Sequence, residues 1–342
     1  MNTEVGNKIV CSVCVANYNG LGLIDACVAS IRNQNCDFAF EILVHDDAST
    51  DGSAEHIRQC YPEARLIESR ENVGFCVAND RMAAVAKGTY LLLLNNDAEL
   101  FADALSLLKA EAVKLDRPAI LSLPQYDAGN GELLDIGSLH DPFLNPIPNR
   151  DRGRRDVGMV AGACLWIPRA LWNELGGFPE WFGSIGEDLY LCCRARLAGY
   201  PVRAFGASGY YHHVGKSMGG GKSIGGFLAS TYRRRALSER NKSYVMIVCY
   251  PPVLLAILLP LHFLLLLLEG ATLSLLQFRM RPLTEIYFPA IASCWRERRR
   301  LRSLRARAQA GRIIGVFSFL SQFKLTSRKL SMLFQHGIPK LT

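Results

Sequence analysis

Within the first 120 residues, short apolar runs alternate with helical patterns, and this alternation constrains the fold more than any other feature of the chain. Ile9–Ala16 leads into Asn17-Tyr18-Asn19-Gly20, Glu41–His45 into Asp46-Asp47, and Tyr90–Leu94 into Asn95-Asn96-Asp97. Ala64–Glu68 reads as a further short strand, and helical patterns cover Leu23–Asn33, Ser53–Cys60 and residues 76–87. Strands that are apolar on both faces, each followed by a helix, predict a mostly parallel sheet covered by helices, a Rossmann-like α/β fold. Such sheets bind ligands at the carboxyl ends of their strands. The polar clusters of this chain stand at those ends.

Downstream, residues 125–158 contain Gly129, Gly131, Gly137 and the charged run Arg150–Asp156, and read as a flexible or substrate-covering segment. Met159–Ile167 and Pro201–Phe205 read as strands; Arg169–Leu175 and Asp188–Ala198 read as helices closed by glycines. Gly215–Gly226 is rich in Gly, Ser and Lys and reads as mobile. It is not a phosphate loop, because Lys216 stands where the first glycine is required.

Charge divides the molecule. Residues 1–215 carry 18 Lys/Arg against 27 Asp/Glu, whereas residues 216–342 carry 21 against 4. The basic part is also apolar. Val245–Leu268 has no charged residue, but Pro251, Pro252 and Pro260 interrupt it and basic residues flank both ends. A clean span shows its positive charge on one side, so this pattern favours a re-entrant or interfacial helix pair over a single span. Arg296–Arg307 holds seven arginines, and Ile313–Phe334 is amphipathic. A membrane surface is the expected partner; nucleic acid is not, because the basic residues are interleaved with long apolar runs. The expected division is a catalytic domain over 1–217 and a basic, helical, membrane-associating region over 218–342. Eleven scattered cysteines and a polar opening, Met1–Lys8, point to a reduced setting at the cytoplasmic face of the cell membrane.

The polar clusters each allow two readings. Asp97, preceded by two carboxamides, suits a hard divalent cation such as Mg2+ or Mn2+, although Asn-Asn-Asp is equally good turn chemistry. Asp46 and Asp47 could accept from a base or a ribose, or open the turn that follows. Glu187-Asp188, ahead of a helix, could supply a general base or simply complement the helix dipole. His212-His213 follows a strand and could add an imidazole ligand.

Their joint order is more specific. Residues 9–20 (IVCSVCVANYNG), 41–53 (EILVHDDASTDGS), 72–100, 162–178, 187–200 (EDLYLCCRARLAGY) and 212–217 (HHVGKS) together resemble family 2 glycosyltransferases of GT-A fold, most closely the rhamnosyltransferase-like branch that builds bacterial surface polysaccharides. The resemblance implies inverting transfer from a nucleoside-diphosphate sugar to a glycan or lipid-linked acceptor. It implies donor contacts at Asn17, Asn19, Asp46, Asn72, Gly74, Asn79 and Asn96, and a cation held by Asp97 with Asn95 and His212. Asp188 is then the general base, supported by Glu187. Asn95 replaces the first Asp of the strict metal motif, Asp47 stands where Asn is common, and Tyr190 stands where many relatives have an acid. Two rivals follow from the residues: a nicotinamide oxidoreductase, since Gly20-x-Gly22 and Asp46 mimic a dinucleotide fingerprint, and a degenerate membrane scaffold. The first is opposed by Asp25, which stands at the third glycine position near the phosphates.

Overall fold

In a computed structural model of the chain, residues 8–213, 220–224 and 227–341 are described. The chain begins β1 (Cys11–Asn17), α1 (Ile24–Arg32), β2 (Phe40–Asp46), α2 (Ser53–Cys60), β3 (Arg65–Glu68), α3 (Phe75–Val85) and β4 (Tyr90–Asn95). This is the expected alternation. It continues through β5 (Ala98–Leu100), α4 (Ala104–Lys114), β6 (Ile120–Ser122), β7 (Gln125–Asp127), β8 (Leu133–Asp135), β9 (Ser138–His140) and β10 (Pro146–Pro148). Then come β11 (Cys164–Pro168), α5 (Arg169–Leu175), α6 (Glu187–Leu197), β12 (Val202–Ala204) and β13 (Tyr210–His212).

Seven strands form one sheet in the order β12-β6-β11-β4-β1-β2-β3. β1 runs parallel to β2 and β4, and β11 runs antiparallel to β4 and β6. Alternation along each strand splits the apolar residues between two faces. Val13, Val15, Ile42, Val44, Leu92 and Leu94 join one buried cluster, whereas Cys14, Leu43, Leu91 and Leu93 join the other. Both faces are dry, which is why the strands read as unbroken apolar runs. A smaller sheet, β5-β13-β7-β8, stands beside the end of β4.

Residues 125–158 differ from the flexible loop expected of them: they hold four short strands, and Ile136, Leu139 and Leu144 are buried. Three-residue strands fall below any periodic signal, and the glycines mark their turns. The strand expected over Met159–Ile167 begins only at Cys164.

The C-terminal helices are α7 (Tyr232–Cys249), α8 (Pro252–Leu276), α9 (Phe288–Arg296), α10 (Arg298–Ala310), α11 (Val316–Leu320) and α12 (Arg328–His336), with a π-helical turn at Pro282–Tyr287. The uncharged run Val245–Leu268 is therefore not one element. Pro251 pushes Tyr250 out of helical geometry (φ −68°, ψ 133°), and Pro252 then opens α8 at a first-turn position where its missing N–H costs nothing. The α7 half is core: Tyr244, Val245, Met246, Val248 and Cys249 are buried in the same cluster as Leu165, Leu189 and Leu191. By length and composition α8 could cross a membrane. The boundary expected at 217, and much of the glycine-rich stretch 215–226, lies outside the described residues; 220–224 is a strand.

Candidate active site

The carboxyl ends of β1, β2 and β4 lie at one level, because Asn17 pairs with Asp46 and Ala16 with Asn95. Above them opens a cleft of about 1230 Å³. It is lined by Asn17, Asp47, Asn72, Gly74, Asn95, Asn96, Asp97, Glu187, Asp188 and His212, so most of the residues singled out in the sequence share one cavity.

On the donor side, a buried carboxamide chain sets the floor. Asn96 donates to Asn17 Oδ1 at 2.9 Å, and Asn17 donates to Asp46 Oδ1 and Ser53 Oγ, both at 2.9 Å. Asp46 itself is not in the lining; its second oxygen accepts from the Ser49 N–H. Asp47 is the carboxylate that faces the cleft, and it clamps the N–H groups of Val73 and Gly74 at 2.7 and 2.8 Å. Asn19 and Asn79 also fall outside the lining. Asn19 accepts from the Thr50 N–H in an exposed turn, and Asn79 is buried in α3 against the Phe75 carbonyl. Gly74 has φ +86°, and a Cβ there would meet the Gly183 carbonyl at 3.2 Å, so glycine is required where α3 meets the loop before α6.

β4 and the turn into β5 deliver the cation candidates. Asp97 is 2% exposed, and its Oδ1 lies 3.0 Å from His212 Nε2, which β13 brings back beside it by pairing His212 with Ala98. Asn95 Nδ2 lies 3.5 Å from the same nitrogen. Asp97 Oδ2, Asn95 Oδ1 and His212 Nδ1 are buried with no hydrogen-bond partner among the described residues. Buried orphan acceptors ask for an electropositive partner, and a divalent cation fits them. No cluster of three or more His, Cys, Asp or Glu able to hold a metal occurs among the described residues. The protein thus offers a partial ligand set, which suits an ion that keeps waters and substrate phosphates as its other ligands.

The second carboxylate pair opens α6. Gly186 in αL geometry (φ +87°) and Ile185 at φ +68° turn the chain sharply into the helix. Positive φ is rare for a β-branched residue. Asp188 accepts from the N–H groups of Leu189 (2.7 Å) and Gly162 (3.2 Å), whereas Glu187 Oε2 is buried without a partner among the described residues. Burial, then the neighbouring Asp188 charge, pushes the Glu187 carboxyl well above the ordinary carboxylate range. Burial raises Asp188 too, but its two N–H donors oppose the shift. Between the two, burial favours a proton on Glu187, whereas the N–H donors favour charge on Asp188. Tyr190, by contrast, does not line the cleft: it is buried against Phe182 with its hydroxyl accepting from Arg194.

The remaining wall comes from α7 and its N-cap, part of the region 218–342 expected at a membrane. Thr231, Arg233, Arg234, Leu237, Ser238 and Lys242 line the cleft. Burial lowers the pKa of Arg234, and the neighbouring Glu187–Asp188 pair opposes that shift only in part. Asn241 donates to the carbonyls of Ile185 (2.6 Å), Ser184 (3.1 Å) and Phe182 (3.3 Å), and Arg240 donates to Phe182 at 2.8 Å. The loop carrying the carboxylates is thus hung from α7. Only the density of polar residues on an otherwise buried helix could have signalled this.

Residues 12–176 match the family model of glycosyl transferase family 2. They form a family 2 glycosyltransferase domain. The N-acetylglucosaminyl-diphospho-decaprenol L-rhamnosyltransferase of Mycobacterium tuberculosis is 26% identical over 209 residues, covering 52% of this chain and 68% of its own. Another curated relative is matched over 25% of its length, so the chain spans between about a quarter and two thirds of the length of these relatives. S. aureus TarS 1-349 in complex with UDP shares the fold at TM-score 0.54 and 17% identity, with 89% of both chains covered. GalNAc-T7 with UDP, GalNAc and Mn2+ does so at TM-score 0.57 and 18% identity, over 70% of this chain and 48% of the other. The GT-A fold expected from the sequence is the fold of these neighbours.

Proposed function

We propose that this chain is an inverting, metal-dependent glycosyltransferase that moves a sugar of the rhamnose class from a nucleoside-diphosphate donor to a glycan or lipid-linked acceptor at the cytoplasmic membrane face. The observation that carries the reading is the convergence on one cleft of the Asp97–His212 pair and the Glu187–Asp188 pair. The names of the neighbours, solved with UDP or with UDP and Mn2+, support the donor and cation classes, and the mycobacterial relative supports the sugar and the lipid carrier.

In this reading Asn17, Asn96 and Asp47 shape the nucleoside end of the cleft. Asp97, Asn95 and His212 would hold Mg2+ or Mn2+, which when bound neutralises the diphosphate leaving group. Asp188, ionised and fixed by two backbone N–H groups, takes the proton from the acceptor hydroxyl. That oxygen attacks the anomeric carbon from the face opposite the departing diphosphate, so one C–O bond forms as the other breaks and the configuration inverts. Arg233 and Arg234 add positive charge to the cleft, Arg234 near the carboxylate pair.

A dinucleotide reading gains nothing from the structure. A Cβ at Gly20 would meet Asn17 Oδ1 and Asn96 Nδ2, so carboxamides fill the turn where a pyrophosphate would sit. The test is release of nucleoside diphosphate across a donor panel, with Mn2+ and with EDTA. Release that depends on Mn2+ and stops with EDTA is expected; release from no donor would leave the non-catalytic scaffold.

A further inference from the structure

α8 is divided by burial rather than by polarity. His262, Leu266, Gly270, Leu273 and Ser274, three or four residues apart or adjacent, are buried against the protein. On the opposite side Val253, Ile257, Leu261, Leu264, Leu268 and Leu275 keep the helical spacing and are 42–73% exposed. The stripe runs on into Phe278 and Met280, which are 93% and 62% exposed. A continuous outer face of large aliphatic side chains marks contact with an apolar phase.

Charge identifies that phase. Residues 216–342 carry 21 basic against 4 acidic side chains, and Arg279, Arg296, Arg299 and Arg302 are exposed near the ends of these helices. A second copy of the chain would bring the same positive excess to the interface, whereas an anionic bilayer complements it. Phe288 and Trp295, seven residues apart on α9, are exposed by 62% and 71%, and the Arg298 guanidinium lies 4.8 Å from the Trp295 ring centroid. Amphipathic aromatic rings beside arginine belong at a boundary between hydrocarbon and water.

The inner side of α8 fixes the orientation. Glu269 pairs with Arg235 of α7 and with Lys329 of α12, and both of these also pair with Glu239, which Lys242 reaches at 2.9 Å. Were α8 to cross a bilayer, this ion-paired cluster would be carried into hydrocarbon, where charged groups are costly. Resting on the function proposed above, we infer that α8 is a monotopic anchor: it lies in the plane of an anionic membrane, with its outer stripe among the acyl chains. α7, which packs on the inner side, lines the cleft with Arg233, Arg234, Ser238 and Lys242. One helix then separates the acceptor side of the cleft from lipid, which suits an acceptor whose sugar is tethered to a membrane lipid.

Flotation of the full chain with phosphatidylglycerol or phosphatidylcholine vesicles tests this. The wild type is expected to float with the anionic vesicles, and the triple variant Leu264→Gln, Leu268→Gln, Leu275→Gln to lose at least tenfold in partitioning. An unchanged partition overturns the proposal. Tryptophans substituted singly for Val253, Leu264 and Leu275 are expected to gain equal quenching from shallow brominated lipids; a depth graded along the three means a spanning helix and overturns the in-plane orientation. A triple variant that becomes monomeric without losing flotation shows a self-association face instead, and also overturns it. Nucleoside diphosphate release in detergent-free buffer keeps the two proposals apart. The triple variant should release as the wild type does; if neither releases, the catalytic reading fails while flotation still decides the anchor.

Discussion

Asp188 and Glu187 are adjacent in sequence yet differ in what holds them. Asp188 has two backbone donors and a view of the cleft; Glu187 has a buried oxygen without a partner among the described residues. Asp188→Asn removes the base while keeping the shape, so turnover is expected to fall at least ~100-fold, with donor affinity within about twofold of wild type. Steady-state kinetics beside calorimetric donor binding measures both, and normal turnover would remove Asp188 from the mechanism. Glu187 gives a second expectation, in stability. Its folded pKa is raised above the unfolded value, so between the two the folded chain binds more protons, and stability falls as pH rises through that window. Glu187→Gln has no such proton to lose. Its melting temperature relative to wild type should therefore climb from about pH 5 to about pH 8, and a flat difference would contradict the buried-proton account. At this scale the sequence was legible at the ends of β1 and β4, where Asn17, Asn95, Asn96 and Asp97 all face the cleft. It was less so for Asp46 and Asn79, whose polar atoms are consumed by Asn17 and Phe75, because a motif names residue types and not the direction in which they point.

The α6 entry shows how an element sets a side chain. Gly186 supplies the left-handed turn, and a Cβ there would meet the Asn241 side chain at 3.3 Å, so the loop both bends and packs tightly against α7. Asn241→Leu keeps much of the volume but leaves the carbonyls of Ser184 and Ile185 without this donor, and that of Phe182 with Arg240 alone. Unsatisfied buried carbonyls cost about 1–3 kcal/mol, so a lower melting temperature is expected, together with a loss in kcat that exceeds any change in donor KM. A kcat equal to wild type would show that the loop holds the carboxylates without help from α7. The strands and helices up to β4 were readable because each is an apolar run or helical pattern bounded by turn residues. β11 was readable as a strand but not as an antiparallel one, since direction depends on the partner and not on the run itself. The break at Pro251 was readable from the prolines, but the burial of the α7 half in the core was not, because hydropathy does not separate a core helix from one at a membrane.

Taken whole, the molecule does not separate where its charge does. The buried cluster on one face of the main sheet contains Leu165, Leu189, Leu191 and Cys193, and also Tyr244, Met246, Cys249, Tyr250, Leu301 and Phe319. Charge composition set the two parts apart, yet packing joins them, because the apolar faces of α7 and α10 turn inward against α6 while Arg299 and Arg302 stay exposed. Arg196 on α6 donates to the Phe319 carbonyl at 2.6 Å, and Arg305 on α10 donates to the Ile247 and Tyr250 carbonyls at 2.7 Å, so hydrogen bonds stitch the helices in both directions. Truncation after His213 would uncover the inner face of α6 and strip the loop before it of Arg240 and Asn241. Exposing a leucine-sized side chain costs about 1.5–3 kcal/mol, and several such residues would exceed the whole stability of a typical domain. The truncated chain is therefore expected to aggregate, or to bind a dye for exposed apolar surface, rather than to yield a soluble catalytic domain. Recovery of a monomer with a cooperative melting transition would show that the sheet domain folds without its helices and that the shared core is an interface between two independent units.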